Sequence, residues 1–131
     1  MTRKGQMIAE YSSLIGLALI FAIIIIGFIV IQGSRNTEER HKIAVESQLA
    51  RIQNEVLSAY SANDGYYSII EFYPPYMGVR MNITIQDSIA IIRSSNTEGI
   101  IYLPPMEGNI VLEEGTIRID RSEGKIVVNT I

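Results

Sequence analysis

Leu14-Ile15-Gly16-Leu17-Ala18-Leu19-Ile20-Phe21-Ala22-Ile23-Ile24-Ile25-Ile26-Gly27-Phe28-Ile29-Val30-Ile31 carries no charged and no strongly polar side chain. A helix of about 20 apolar residues crosses a hydrocarbon core of about 30 Å, so this stretch is long enough to span a membrane. Isoleucine is heavily used, 25 of 131 residues. In water the β-branched run Ile23-Ile24-Ile25-Ile26 favours a strand. In lipid the helix wins, because every backbone polar group must be paired within the segment. Gly16, Ala18, Ala22 and Gly27 are of the size that lets helices approach closely in lipid. Such residues are also simply common in membrane helices, so they define no packing seam by themselves.

Downstream of Gln32 the character changes. Gly33-Ser34-Arg35-Asn36 reads as a local loosening or kink, and Asn36 with Glu39 has the spacing of a capping box. Val45, Leu49, Ile52, Val56 and Tyr60 then recur at helical spacing, giving one apolar stripe. Glu46, Gln48, Arg51, Gln53 and Glu55 occupy the other side. Asn63-Asp64-Gly65 is a turn signal that stops the helix near residues 61–65. If both parts are continuous from Ile8 to Tyr60, they form one helix of about 80 Å, apolar all round in its lower half and on one side only above.

The remainder, about 70 residues, is small for an independently stable domain, so help from the helix or from neighbouring subunits is expected. Its β-branched runs are separated by turn residues, and strands are expected at 67–73, 79–86, 88–93, 99–103, 109–113, 116–120 and 125–129. Thr116-Ile117-Arg118-Ile119-Asp120 alternates cleanly, which buries one face and wets the other. Glu113-Glu114-Gly115 and Ser122-Glu123-Gly124 are tight-turn candidates of a hairpin meander. Pro74-Pro75 and Pro104-Pro105 are incompatible with strand interiors and mark crossovers or edges. Tyr66, Tyr67, Tyr76 and Tyr102 are expected to cover the sheet or the helix contact.

The chain contains no cysteine, which removes disulfides and thiolate metal sites. A net charge of −3 argues against nucleic acid as a partner. His41, the one histidine, sits among Glu38, Glu39, Arg40 and Lys42 and reads as part of a solvated face. No nucleophile–histidine–carboxylate set, phosphate-cradling glycine loop, H-E-x-x-H motif or EF-hand spacing is present. No catalytic residue, metal ligand or cofactor is therefore expected, and the chain does not read as an enzyme. Asn82-Ile83-Thr84 is the one N-glycosylation triplet, and its use requires Asn82 to face solvent.

Upstream of the apolar run stands Arg3-Lys4-Gly5-Gln6-Met7-Ile8-Ala9-Glu10. The basic leader is too short for an ordinary secretory signal, and no small-residue cleavage pattern follows the apolar run. Length and periodicity alone leave an uncleaved signal anchor open. Arg3 and Lys4 before the apolar run and Arg35, Arg40 and Lys42 after it give no positive-inside bias. Glu10 is a lone carboxylate beside a membrane-length apolar run, where burial of a charge is costly.

Lys4-Gly5 before a junction, Gln6 after it, Glu10 four residues further on and the apolar helix behind resemble the class III signal peptide of archaeal type IV pilin-like proteins. The resemblance covers the first thirty or so residues. It implies that a membrane prepilin peptidase cuts between Gly5 and Gln6, with Arg3, Lys4, Gly5 and Gln6 as the processing site and the leader on the cytoplasmic side. Removal of Arg3 and Lys4 would take the net charge to −5, from −3. The resemblance further implies that mature subunits leave the bilayer and pack their helices into a filament core, with the heads outside. Glu10 would then pair with the free amine of mature Gln6 on a neighbouring subunit. Implied partners are further copies or related pilins, the peptidase, a pilus assembly ATPase, membrane platform proteins and, before assembly, membrane lipid.

The expected fold class is α+β: a long N-terminal helix, membrane-spanning below and amphipathic above, packed against a C-terminal antiparallel β-meander head. The expected divisions are a leader at 1–5, a transmembrane or filament-core helix at 6–33, an amphipathic helix at 34–62 and a head at 63–131. The functional expectation is a pilin or pseudopilin of a cell-surface filament. Two alternatives stand beside it: a membrane-anchored extracellular β domain that binds a ligand, and a minor or tip subunit.

Overall fold

The computed structural model describes residues 2–131, so Met1 of the expected leader lies outside the described residues. One helix, α1, runs unbroken from Arg3 to Ser61. Its apolar window has a mean hydropathy of 3.3 and buries no residue, so α1 is long and apolar enough to cross a membrane. The expected loosening at Gly33–Asn36 does not occur. Thr37 Oγ1 donates back to the Gly33 carbonyl at 2.9 Å, which keeps a competing hydroxyl inside the helical ladder. Asn36 accordingly lies within the helix and is not a cap.

The chain divides into two compact units, one ending at Thr37 and one comprising Glu38–Ile131. In the second unit the amphipathic part of α1 buries Ala44, Val45, Leu49, Ile52, Val56 and Ala59. Four of the five expected stripe residues are in place. Tyr60 is 56% exposed, and Ala59 takes the last buried position. The reason is steric as well as angular: alanine lets the helix end lie close to the strands, where a tyrosine ring would hold it off.

Seven antiparallel strands follow: β1 (Tyr67–Phe72), β2 (Met81–Gln86), β3 (Ile89–Ser94), β4 (Glu98–Tyr102), β5 (Ile110–Leu112), β6 (Gly115–Ser122) and β7 (Lys125–Thr130). Each expected strand is present within a few residues. They form two sheets, of order β1-β6-β7 and β4-β3-β2-β5. β2, β3 and β4 meander, and β6 and β7 form a hairpin whose turn holds Glu123 and Gly124 at φ of 53° and 75°. The β2–β3 turn uses Asp87 and Ser88 at φ of 51° and 63°, the left-handed pair that matches strand twist. Both proline pairs lie between strands as expected. Pro74-Pro75 joins β1 to the other sheet, and Pro104-Pro105 takes the chain from edge strand β4 across to β5. Glu113-Glu114 differs from expectation. It links strands of different sheets, so it is a sheet change and not a hairpin turn.

One apolar core serves the helix and both sheets. Ile70, Phe72, Ile117, Ile119, Ile126 and Val128 face it from the three-stranded sheet, and Met81, Ile83, Ile85, Ala90 and Ile92 from the four-stranded one. The helix packs tightly over Gly99 on β4. A Cβ there would lie 2.6 Å from both Leu49 Cδ1 and Val45 Cγ1, so only glycine admits this approach.

The helix end is held by Arg121 of β6. Its Nη1 donates to the Ala59 carbonyl at 3.3 Å and also to the Tyr60 carbonyl. These are among the last carbonyls of α1, which have no partner within the helix. Nε lies 3.6 Å from Asp64 Oδ1, and the same oxygen accepts from Gly124 N at 3.0 Å. Arg121→Met keeps the apolar volume and removes the donors. It is expected to lower stability by about 1.5–3 kcal/mol, the range for hydrogen bonds to a charged group. Urea titration of the full chain, followed by tyrosine fluorescence, measures it.

Candidate processing and assembly site

The segment that the sequence singles out lies at the start of α1. Arg3, Lys4 and Gly5 of the expected leader are helical, so α1 starts ahead of the Gly5–Gln6 junction. Gly5 N and Gln6 N both donate to the Thr2 carbonyl, at 2.9 and 3.2 Å. A Cβ on Gly5 would meet Thr2 Oγ1 at 3.6 Å, an ordinary contact, so the helix itself accepts a larger residue there. The Gly5–Gln6 bond therefore lies in the first turn or two, where donors lack intrahelical partners and the helix frays most readily.

Arg3, Lys4, Gln6 and Glu10 are all exposed. Glu10 has no ion-pair partner among the described residues. Around it Met7, Ile8, Tyr11 and Leu14 are exposed as well, each at 70% or more. A carboxylate thus stands on a helical surface that is otherwise apolar. Whatever covers that surface must also supply the carboxylate with a donor or a positive charge.

Asn82 meets the condition for its triplet, being exposed on β2 beside Arg93. It borders an open groove of about 540 Å³ with Arg80, Arg93, Ser94, Glu113 and Glu114. Both signs of charge line this groove. Arg93 pairs with Glu98 at 2.8 Å, and that hydrogen bond, with the charge behind it, raises the guanidinium above its ordinary pKa.

His41 is not on a freely solvated face. It is half-buried, with Nδ1 3.0 Å from Ser94 Oγ. Ser94 also accepts from Thr97 N at 3.2 Å, so this histidine ties α1 to the β3–β4 turn. Nothing in its local sequence points to that serine, which lies 53 residues away. Tyr66 and Tyr76 pack against the core as expected. Tyr67 and Tyr102 are exposed instead, at 59% and 77%, because their alternation puts them on outer sheet faces. Among the described residues no three of His, Asp and Glu come together in a way that could hold a metal ion.

No protein family, no curated protein and no solved structure matches the chain.

Proposed function

We propose that the chain is a structural subunit, a pilin or pseudopilin, of an archaeal type IV-like cell-surface filament. One observation carries this reading: an exposed, membrane-length apolar helix bears a single unpaired carboxylate, Glu10, shortly after the Gly5–Gln6 junction. The precursor resides in the cell membrane with its leader cytoplasmic and its head outside. A prepilin peptidase cuts after Gly5, and an assembly ATPase with membrane platform proteins moves the mature chain into the filament. There the apolar surface is covered by like helices of neighbouring subunits instead of lipid. A β head outside such a bundle presents the surface available for adhesion.

The cut requires an extended backbone in the peptidase cleft. Opening the first turn of α1 disturbs little else, since the core contacts of the helix begin at Ala44. Glycine at the junction also weakens the local helix by about 1 kcal/mol relative to alanine. Mature protein from the native cell is expected to begin at Gln6 by intact-mass spectrometry. A Gly5→Phe chain is expected to keep its leader, because the bulky side chain obstructs access to the bond. Native material that retains Thr2 would refute the processing step.

A further inference from the structure

An antiparallel sheet with one face on a core commonly turns a polar face to water. The outer face of the four-stranded sheet follows this rule only in part. Register aligns Val111, Thr84, Ile91 and Ile100 in one row across all four strands, and Ile89 beside Tyr102 in the next. Val111 and Tyr102 are 77% exposed and Ile100 54%. The inner positions Ile83, Ile85, Ala90 and Ile92 are buried at the same time. The outer face thus carries an apolar cluster on β3 and β4, bordered by Thr84 and Gln86 on β2 and by the polar row Asn82, Arg93 and Glu98. At one end of the outer face Arg93 and Glu98 lie side by side on β3 and β4.

We propose that this face pairs two copies of the chain, each packing β3 and β4 against β4 and β3 of the other as two layers of a sandwich. Sheet shape favours this occupant, since the natural complement of a twisted sheet is another sheet about 10 Å away. The outer face of the three-stranded sheet is a poor alternative, because Glu71, Arg118 and Asp120 interrupt it.

Charge favours it too. A two-fold axis along the strands, between β3 and β4, preserves each cross-strand row and exchanges the two strands. It sets Arg93 over the second copy's Glu98, Ile91 over Ile100 and Ile89 over Tyr102. Each of these contacts is complementary and each occurs twice. The Arg93–Glu98 end has no net charge, so it gives anionic lipid or nucleic acid no electrostatic hold.

Area sets the conditions. The apolar patch to be paired is small, with Ile100 and Tyr102 largely exposed and Ile89 and Ile91 half-buried. It falls below the roughly 800 Å² per partner of a stable soluble complex. Pairing therefore needs the raised effective concentration of chains confined to one membrane. The proposal does not rest on the filament reading, because a filament whose subunits all point one way repeats a head-to-tail contact and not a two-fold one.

The natural absence of cysteine allows a direct test with single thiols in the full chain, in membranes of a host without an assembly apparatus. Ile91→Cys places a thiol on the paired face, and Asn129→Cys places one on the outer face of the other sheet. A short bis-maleimide is expected to yield at least about tenfold more dimer from the first than from the second, the ratio of a contact worth about 1.4 kcal/mol or more. Ile100→Lys or Tyr102→Glu, added to Ile91→Cys, is expected to reduce that dimer by a similar factor while the melting temperature is unchanged. Equal cross-linking from both thiols, dimer insensitive to both added charges, or no dimer from Ile91→Cys would each overturn the pairing.

Discussion

Glu10→Ala is expected to leave expression, membrane insertion and leader cleavage intact and to reduce recovery in the filament fraction by at least about tenfold. In an isolated anchor the carboxylate is tolerated near the interface, where water or headgroups solvate it. In a bundle of like helices the same group loses its water and needs a positive partner. The resemblance implies the amine of mature Gln6 on the next subunit, a group that exists only after cleavage. Removing one member of such a desolvated pair leaves the other uncompensated, which costs about 3–5 kcal/mol. Pairing between subunits would also fix the axial offset of one helix against the next. Shearing cells and pelleting filaments measures the effect. Equal recovery of wild type and variant would remove the assembly role. No filament fraction for either chain would favour a membrane-anchored binding domain. Glu10→Gln separates charge from shape, and it should behave like Glu10→Ala if the charge is what matters.

Ile52→Ala should be among the most damaging changes to the head. Ile52 is 1% exposed and lies at the middle of the buried stripe, between Leu49 and Val56. Emptying a packed aliphatic site costs about 2–5 kcal/mol, through lost burial and a cavity that relaxes only in part. For a unit of this size that lowers the melting temperature by roughly 10–40 °C. Thermal unfolding of the full chain in detergent, followed by tyrosine near-ultraviolet circular dichroism, reads the head and not the apolar helix. Leu57→Ala is the control, since Leu57 is 43% exposed and its loss empties no site. An Ile52→Ala shift no larger than the control would mean that the helix is not held as described.

Local pattern was enough for every secondary-structure element of this chain. An uninterrupted apolar run, a stripe at helical spacing and an Asn-Asp-Gly stop define one helix. β-branched runs between turn residues define seven strands. Hydrophobic periodicity and turn chemistry act over a few residues, so they are readable without the fold. The residues proposed for processing and assembly, Arg3, Lys4, Gly5, Gln6 and Glu10, are singled out by a resemblance that is equally local. Local signals misled where competing effects were close in energy. The Gly33–Asn36 loosening is absent because the helical ladder absorbs a glycine and the Thr37 hydroxyl that donates back to it.

Only the tertiary structure decided how the strands are shared between two sheets. β1 beside β6 and β5 beside β2 are pairings between distant segments, and turn residues carry no record of them. Ala59 rather than Tyr60 at the helix end, Arg121 on the last carbonyls and His41 on Ser94 are fixed by the same distant approach. The outer face of the four-stranded sheet has the same origin. Ile91 and Ile100 are apolar wherever they fall in a sequence reading. That they stand in one outward-facing row is a matter of register, and register is set by the core on the other side of the sheet.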